Sequence, residues 1–279
     1  MSEYLVNGVP SSQFDVRDRG YQYGDGFFTT IRVLNRRLIM WPAHWRRLCN
    51  AAKVLKFTAF PDQVDEGGLL ESCRQLVSQH PHHDAVIRIT ITRGCGGRGY
   101  APTADLRVNV VVSISAYPAH YARWRQRGVR LHIAAQSLGY QPILASIKSL
   151  NRLEQVMLKQ ELQEYEGIDD VLALDHRGYV AETSTANIAW RHKGQWFTPE
   201  MDGVGVQGLA MQYFVRQTDA RRGDYPLEAL LEAEQVVISN CLLGFINVQS
   251  IARSATRTVH FSVLSDFTEQ LTRRMCDDE

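Results

Sequence analysis

Hydrophobic and polar positions follow two rhythms along the chain. Runs rich in β-branched and aromatic residues predict strands over 4–9, 27–33, 85–92 and 106–115. Between them, Pro42 opens a segment in which Leu48, Ala51 and Leu55 recur at helical spacing beside His44 and Arg47, and a helix is expected there. A second helix is expected over 62–78, weakened at its start by Gly67-Gly68. The stretch 116–125, which contains Pro118, reads as a connection between a smaller domain over 1–115 and a larger one over 126–279. Beyond it, strands are expected over 129–135 and 144–149, then a helix over 152–165 capped by Asn151. A hairpin over 170–175 and onward from Tyr179 turns at His176-Arg177-Gly178, and a strand pair is expected over 188–190 and 195–198. Helices over 209–219 and 226–234 and a strand over 235–239 complete the pattern. The chain reads as a mixed α+β protein of two domains.

Composition narrows the function classes. The chain has 279 residues, 44% of them hydrophobic and 22% charged, as in an ordinary globular protein with a real core. A formal net charge of +1 gives no reason to expect nucleic acid or an acidic membrane as partner. No segment approaches the roughly 20 apolar residues of a membrane span, and Met1-Ser2-Glu3-Tyr4 lacks a signal-peptide design. The five cysteines are scattered without metal-ligand spacing, which suits reduced thiols in a cytoplasmic protein. The run His80-Pro81-His82-His83-Asp84 reads as a surface loop, and no metal is expected.

Candidate chemistry starts from lysine usage. Of the five lysines, four sit among polar neighbours, whereas Lys148 interrupts the apolar, small-residue run 142–150. Burial there favours the neutral amine, a nucleophile suited to Schiff-base chemistry. The alternative is a lysine that snorkels to water or a carboxylate. Gly203-Val204-Gly205-Val206-Gln207-Gly208 matches GxGxxG but comes too late in the chain for a dinucleotide fold. A glycine turn feeding a helix at Leu209 is nonetheless a phosphate site, or else a flexible turn. Glu182 lies between a hydrophobic strand and the small residues 183–186, either as a partner for a ring nitrogen or as a surface carboxylate. Arg47 could close a phosphate site, or be a solvated helix residue. An amine, a lone carboxylate, a phosphate-cradling turn and an arginine together specify pyridoxal 5'-phosphate.

The order Arg47, Lys148, Glu182, glycine-rich turn resembles the fold type IV pyridoxal-phosphate enzymes, which include branched-chain and D-amino-acid aminotransferases and the aminodeoxychorismate lyases. The resemblance spans nearly the whole chain. It is most specific at 24–32 (GDGFFTTIR), 92–100 (TRGCGGRGY) and 147–155 (IKSLNRLEQ), with 116–121 (AYPAHY) in support, and all resemble the lyases. It implies a two-domain fold, a cytoplasmic homodimer, and Lys148 as the residue that carries the cofactor as an internal aldimine and then acts as base. The implied reaction eliminates pyruvate from 4-amino-4-deoxychorismate to leave 4-aminobenzoate, a folate precursor. The alternative is a branched-chain or D-amino-acid aminotransferase of the same fold. Thr30 falls where the family's transaminases carry glycine and is the candidate proton relay, unless its hydroxyl only satisfies backbone. Arg32 and Arg98 are candidates for the substrate's carboxylates, although Arg98 could be a mobile surface residue. Leu209 and Ala210 are expected to offer backbone N–H groups to the phosphate. Asn240 stands at the far anchor, where related aminotransferases use threonine.

Overall fold

A computed structural model describes residues 3–103, 106–254 and 256–278; Met1 and Ser2, read above for a targeting segment, lie outside them. The chain divides into two compact units. One comprises the residues up to Tyr117 together with Lys148–Asn151, and the other Pro118–Ile147 with Arg152–Asp278. Within 116–125, the last strand of the first unit runs through Ala116 and a helix begins at His120.

The first unit contains β1 (Tyr4–Val6), β2 (Val9–Pro10), α1 (Arg19–Tyr23), β3 (Gly26–Leu34), β4 (Arg37–Leu38), α2 (Trp41–Val54), α3 (Phe60–Gln63), α4 (Glu66–Gln79), β5 (Ala85–Thr92) and β6 (Asn109–Ala116). Its strands form a six-stranded antiparallel sheet in the order β2-β1-β6-β5-β3-β4. Side chains alternate across the sheet. Phe27, Thr29, Ile31 and Val33 of β3 are fully buried with Ile87, Ile89 and Ile91 of β5, and α2 packs on this strand through the stripe His44, Leu48, Ala51 and Ala52. The opposite parity, Phe28, Thr30 and Arg32, places two of the candidate residues on the other face. The single helix expected over 62–78 is two helices. Asp65 takes extended backbone and caps α4 by accepting from the Gly68 N–H at 2.7 Å, so helix cannot run through it.

The second unit contains α5 (His120–Arg127), β7 (Val129–Ile133), α6 (Leu153–Glu161) with a 3-10 turn (Leu162–Glu164), β8 (Asp170–Leu174), β9 (Val180–Thr183), β10 (Asn187–His192) and β11 (Gln195–Pro199). It continues with α7 (Leu209–Thr218), β12 (Arg221–Gly223), α8 (Leu227–Leu231), β13 (Gln235–Asn240), β14 (Gly244–Ser254), β15 (Arg257–His260) and α9 (Ser265–Asp277). The mixed sheet runs β12-β11-β10-β13-β14-β7-β8-β9, with β15 beside β14. A further pairing, Glu182 of β9 opposite Asn187 of β10, closes six strands into a ring. Its core is the cluster around Trp190, Ile188, Leu172, Val236, Val248 and Ile251.

Two local expectations are corrected. Residues 144–149 form no strand: the Gln141 carbonyl accepts from the N–H groups of Leu144 and Ala145, so the backbone turns locally and Ser146 takes a left-handed conformation (φ 68°). Asn151 does not cap α6. Arg152 occupies the cap position without a side-chain bond, and Asn151 Nδ2 donates to the Gly24 carbonyl at 3.2 Å. No helix among the described residues is long and apolar enough to cross a membrane.

Candidate active site

Lys148 is seated by backbone pairing. The Phe28 N–H donates to the Lys148 carbonyl at 2.9 Å, the Leu150 N–H donates to the Gly26 carbonyl at 3.0 Å, and Phe27 faces Ser149 as an antiparallel bridge. The strip thus adds a short rung to the start of β3. Glycine is required at 26, where a Cβ would stand 2.5 Å from the Ile91 carbonyl oxygen and 2.7 Å from Leu150 Cδ1. The Lys148 side chain is half-buried, with Nζ 4.8 Å from the centroid of the Phe28 ring. The amine therefore lies against an aromatic face, which attracts a cation, and not in a fully apolar pocket.

Arg88, which sequence reasoning missed, shares that ring: its guanidinium lies 3.7 Å from the Phe28 centroid. Arg88 is the cross-strand partner of Thr30, and its Nε donates to Thr90 Oγ1 at 3.3 Å although the residue as a whole is exposed. The available signal was an arginine inside the run Ile87-Arg88-Ile89-Thr90-Ile91, in phase with Thr30 rather than with the core. Thr30 is half-buried on the same face. Arg32 is buried, its guanidinium 5.1 Å from the Tyr117 ring centroid. Arg98 is exposed in the loop after β5, where its N–H and C=O both pair with Ala101.

Arg47 lies one turn from His44 on α2 and is half-buried. His44 is fully buried, with Nδ1 2.6 Å from Thr29 Oγ1. Its pKa is held well below the usual histidine value, first by burial and then by the charges of Arg47 and Lys148. The first unit therefore gathers Lys148, Thr30 and Arg88 around Phe28, and sets the charges of Lys148 and Arg47 beside a neutral histidine.

The second unit holds the remaining candidates. Glu182, at the seam of the strand ring, is 5% exposed and so is not a surface carboxylate. Its Oε2 accepts from the Val206 N–H at 3.1 Å and from Asn187 Nδ2 at 3.2 Å, and its Oε1 accepts from Gln155 Nε2 at 3.5 Å. The glycine turn is built against these groups. Gly205 has φ +66°, and a Cβ there would lie 2.9 Å from Glu182 Cδ; one at Gly208 would lie 2.0 Å from Asn187 Oδ1. Ser146 pairs with the same turn, donating its N–H to the Gly205 carbonyl and accepting from the Gln207 N–H. Gly208 leads into α7 with no side-chain cap, so the first-turn amides of Leu209 and Ala210 lack an intrahelical partner. Asn240 donates from Nδ2 to the Thr185 carbonyl at 3.1 Å, while its Oδ1 accepts from the N–H groups of Leu242 and Leu243. It braces a turn beside the small-residue run.

A carboxylate held against a glycine turn at a helix start, and a lysine held by the edge of a β-strand, define a class of protein. The chain belongs to the amino-transferase class IV family, whose profile matches residues 26–251. It is 35% identical over 256 residues to an aminodeoxychorismate lyase of Vibrio harveyi, covering 89% of this chain and 91% of that one. It is 26% identical over 242 residues to a D-alanine aminotransferase of Bacillus licheniformis, covering 85% and 82%. The crystal structure of 4-amino-4-deoxychorismate lyase from Pseudomonas aeruginosa superposes with a TM-score of 0.85 at 29% identity, covering 99% of this chain and 98% of that one. The α+β architecture is the fold type IV arrangement.

Proposed function

We propose that the protein is a pyridoxal-phosphate-dependent lyase that converts 4-amino-4-deoxychorismate to 4-aminobenzoate and pyruvate. The reading is carried by the seat of Lys148 against Phe28, with Thr30 in phase on the same strand, in a chain 35% identical to a lyase over most of its length. The residues fit the cofactor: glycines at 205 and 208 keep the ground beside Glu182 and Asn187 flat, and the α7 start offers amides to an anion. When bound, pyridoxal phosphate supplies an electron-accepting ring that stabilises negative charge on the carbon next to the substrate amine.

The chain's own groups then have distinct tasks. Lys148 Nζ would hold the cofactor and, when free, would be the base that takes the proton from that carbon. Glu182, fixed by Val206 and Asn187, serves the ring nitrogen. Arg47, the amides of Leu209 and Ala210, and Asn240 are the groups that would hold the phosphate. Thr30 Oγ1 relays a proton to the departing enolate of pyruvate. Arg32, Arg98 and the newly recognised Arg88 are the candidates for the substrate's two carboxylates. The protein acts as a two-domain cytoplasmic homodimer on this small-molecule substrate, in folate biosynthesis.

The test is incubation with aminodeoxychorismate, with 4-aminobenzoate and pyruvate expected in equal amounts and both lost in Lys148→Ala. Bound cofactor without pyruvate release sinks the lyase assignment. Conversion of the cofactor to its amine form by added D-alanine or branched-chain amino acid supports the aminotransferase reading instead.

A further inference from the structure

One buried side chain holds the glycine-rich loop between β5 and β6. Arg19 sits on α1 yet is 3% exposed. Its Nη1 donates to the carbonyls of Gly99 at 3.0 Å and Gly96 at 3.4 Å, and its Nη2 to the carbonyl of Tyr100 at 3.0 Å. Its Nε donates to Asp25 at 2.9 Å, and its backbone N–H to the Gly94 carbonyl at 2.9 Å. Asp25 is shared with Arg93, whose Nη groups donate to the carbonyls of Leu55 and Lys56 at the end of α2. Burial works against the Asp25 charge, and the bonds and charges of the two arginines more than offset it.

The carbonyls that Arg19 grips lie on both sides of Arg98. Arg93 ties the start of the loop in the same way, and among the described residues Arg19 is the side chain whose charge-assisted bonds reach the 96–100 segment. Gly96, Gly97 and Gly99 all take positive φ, where glycine is costly to order, and Arg98, Gly99 and Tyr100 are exposed. Charge-assisted bonds from a rigid planar fork are suited to fixing such a backbone.

We propose that Arg19 is a positioning residue that fixes this loop so that Arg98 meets a substrate carboxylate in one geometry. It would thereby contribute to preference for a dianionic substrate. The proposal rests on the reading above that Arg98 takes a carboxylate.

The test is steady-state kinetics on the holoenzyme for wild type, Arg19→Lys, Arg98→Ala and the double variant, with trypsin cleavage after Arg98 followed by mass spectrometry. Lysine keeps the charge but cannot span three carbonyls and a carboxylate. Arg19→Lys is expected to raise KM about tenfold with kcat within about twofold. The cofactor's absorption band should stay unchanged and cleavage after Arg98 should quicken. In the Arg98→Ala background the added effect on KM should fall below about twofold. An equal rise in both backgrounds, or no rise while Arg98→Ala raises KM, overturns the proposal alone. An unchanged KM in Arg98→Ala instead removes the reading of Arg98 and the proposal with it. If Arg19→Lys does not fold, Asp25→Asn, which withdraws the charge facing Arg19 Nε, is expected to show the same pattern at smaller size.

Discussion

His44 should make the protein acid-sensitive in a way that one substitution removes. The ring is fully buried, bonded at Nδ1 to Thr29, and its buried Nε2 has no hydrogen-bond partner among the described residues. Its pKa lies well below the ordinary 6.5 because of burial and, secondarily, the neighbouring charges of Arg47 and Lys148. In the unfolded chain the same ring regains a pKa of about 6.5. Above that value neither state binds the proton, and His44 adds no pH dependence. Below it the unfolded state binds a proton that the folded state refuses, so stability falls as pH falls toward the folded pKa, by up to about 1.4 kcal/mol per pH unit. Going from about pH 8 to about pH 5 costs at most about 2 kcal/mol from this group, the limit for a ring that stays neutral in the fold throughout. The assay is urea unfolding of wild type and His44→Gln across that range. The substitution has its own cost, but the stability difference between the two proteins should shrink at the acid end, by up to about 2 kcal/mol. A difference that stays constant refutes the buried neutral ring; one that grows means that His44 is protonated in the fold.

Three further outcomes follow from named contacts. Gly205→Ala places a methyl 2.9 Å from Glu182 Cδ at a φ of +66° and should raise the cofactor's dissociation constant about tenfold, read by fluorescence titration. Trp190→Ala empties a site where the ring is 1% exposed and packs on Tyr225 at 5.2 Å, and should cost about 3–5 kcal/mol in urea unfolding. Thr30→Val should lower kcat for pyruvate release by about a hundredfold or more, Thr30→Ser should restore most of it, and the absorption band should persist in both; a fully active valine variant would remove Thr30 from the proton relay.

Much of the secondary structure was legible because period and composition agree. β3 and β5 carry dense β-branched runs, and α2 carries a clear apolar stripe after Pro42. The errors occur where a tertiary partner outweighs local preference. Leu144 to Ser149 is apolar enough to suggest a strand, but Ser146 is captured by the 205–207 turn and Lys148 by β3. Asn151 has the chemistry of a helix cap, yet its amide serves Gly24. The candidate residues stood out by being chemically odd for their surroundings: a lysine among apolar residues, a glutamate before a small-residue run. Arg88 and His44 escaped because each stands in a segment whose periodicity already had an explanation. Only the register of β3 on β5 shows that Arg88 is opposite Thr30, and only burial shows that His44 is neutral.

The strip Lys148–Asn151 belongs to the first unit although the chain on both sides belongs to the second. The candidate amine of Lys148 is therefore part of the first unit without being continuous with it in sequence. A gene cut after Tyr117 would give an N-terminal fragment lacking the lysine and a C-terminal fragment lacking the strand that seats it. The pairing also closes a long loop, with Asn151 and Gly24 separated by 127 residues, so the lysine can take its place only after the sheet of the first unit exists to receive it. Cofactor capture should thus be among the last events of refolding, which makes its absorption band a reporter of the completed chain rather than of either half.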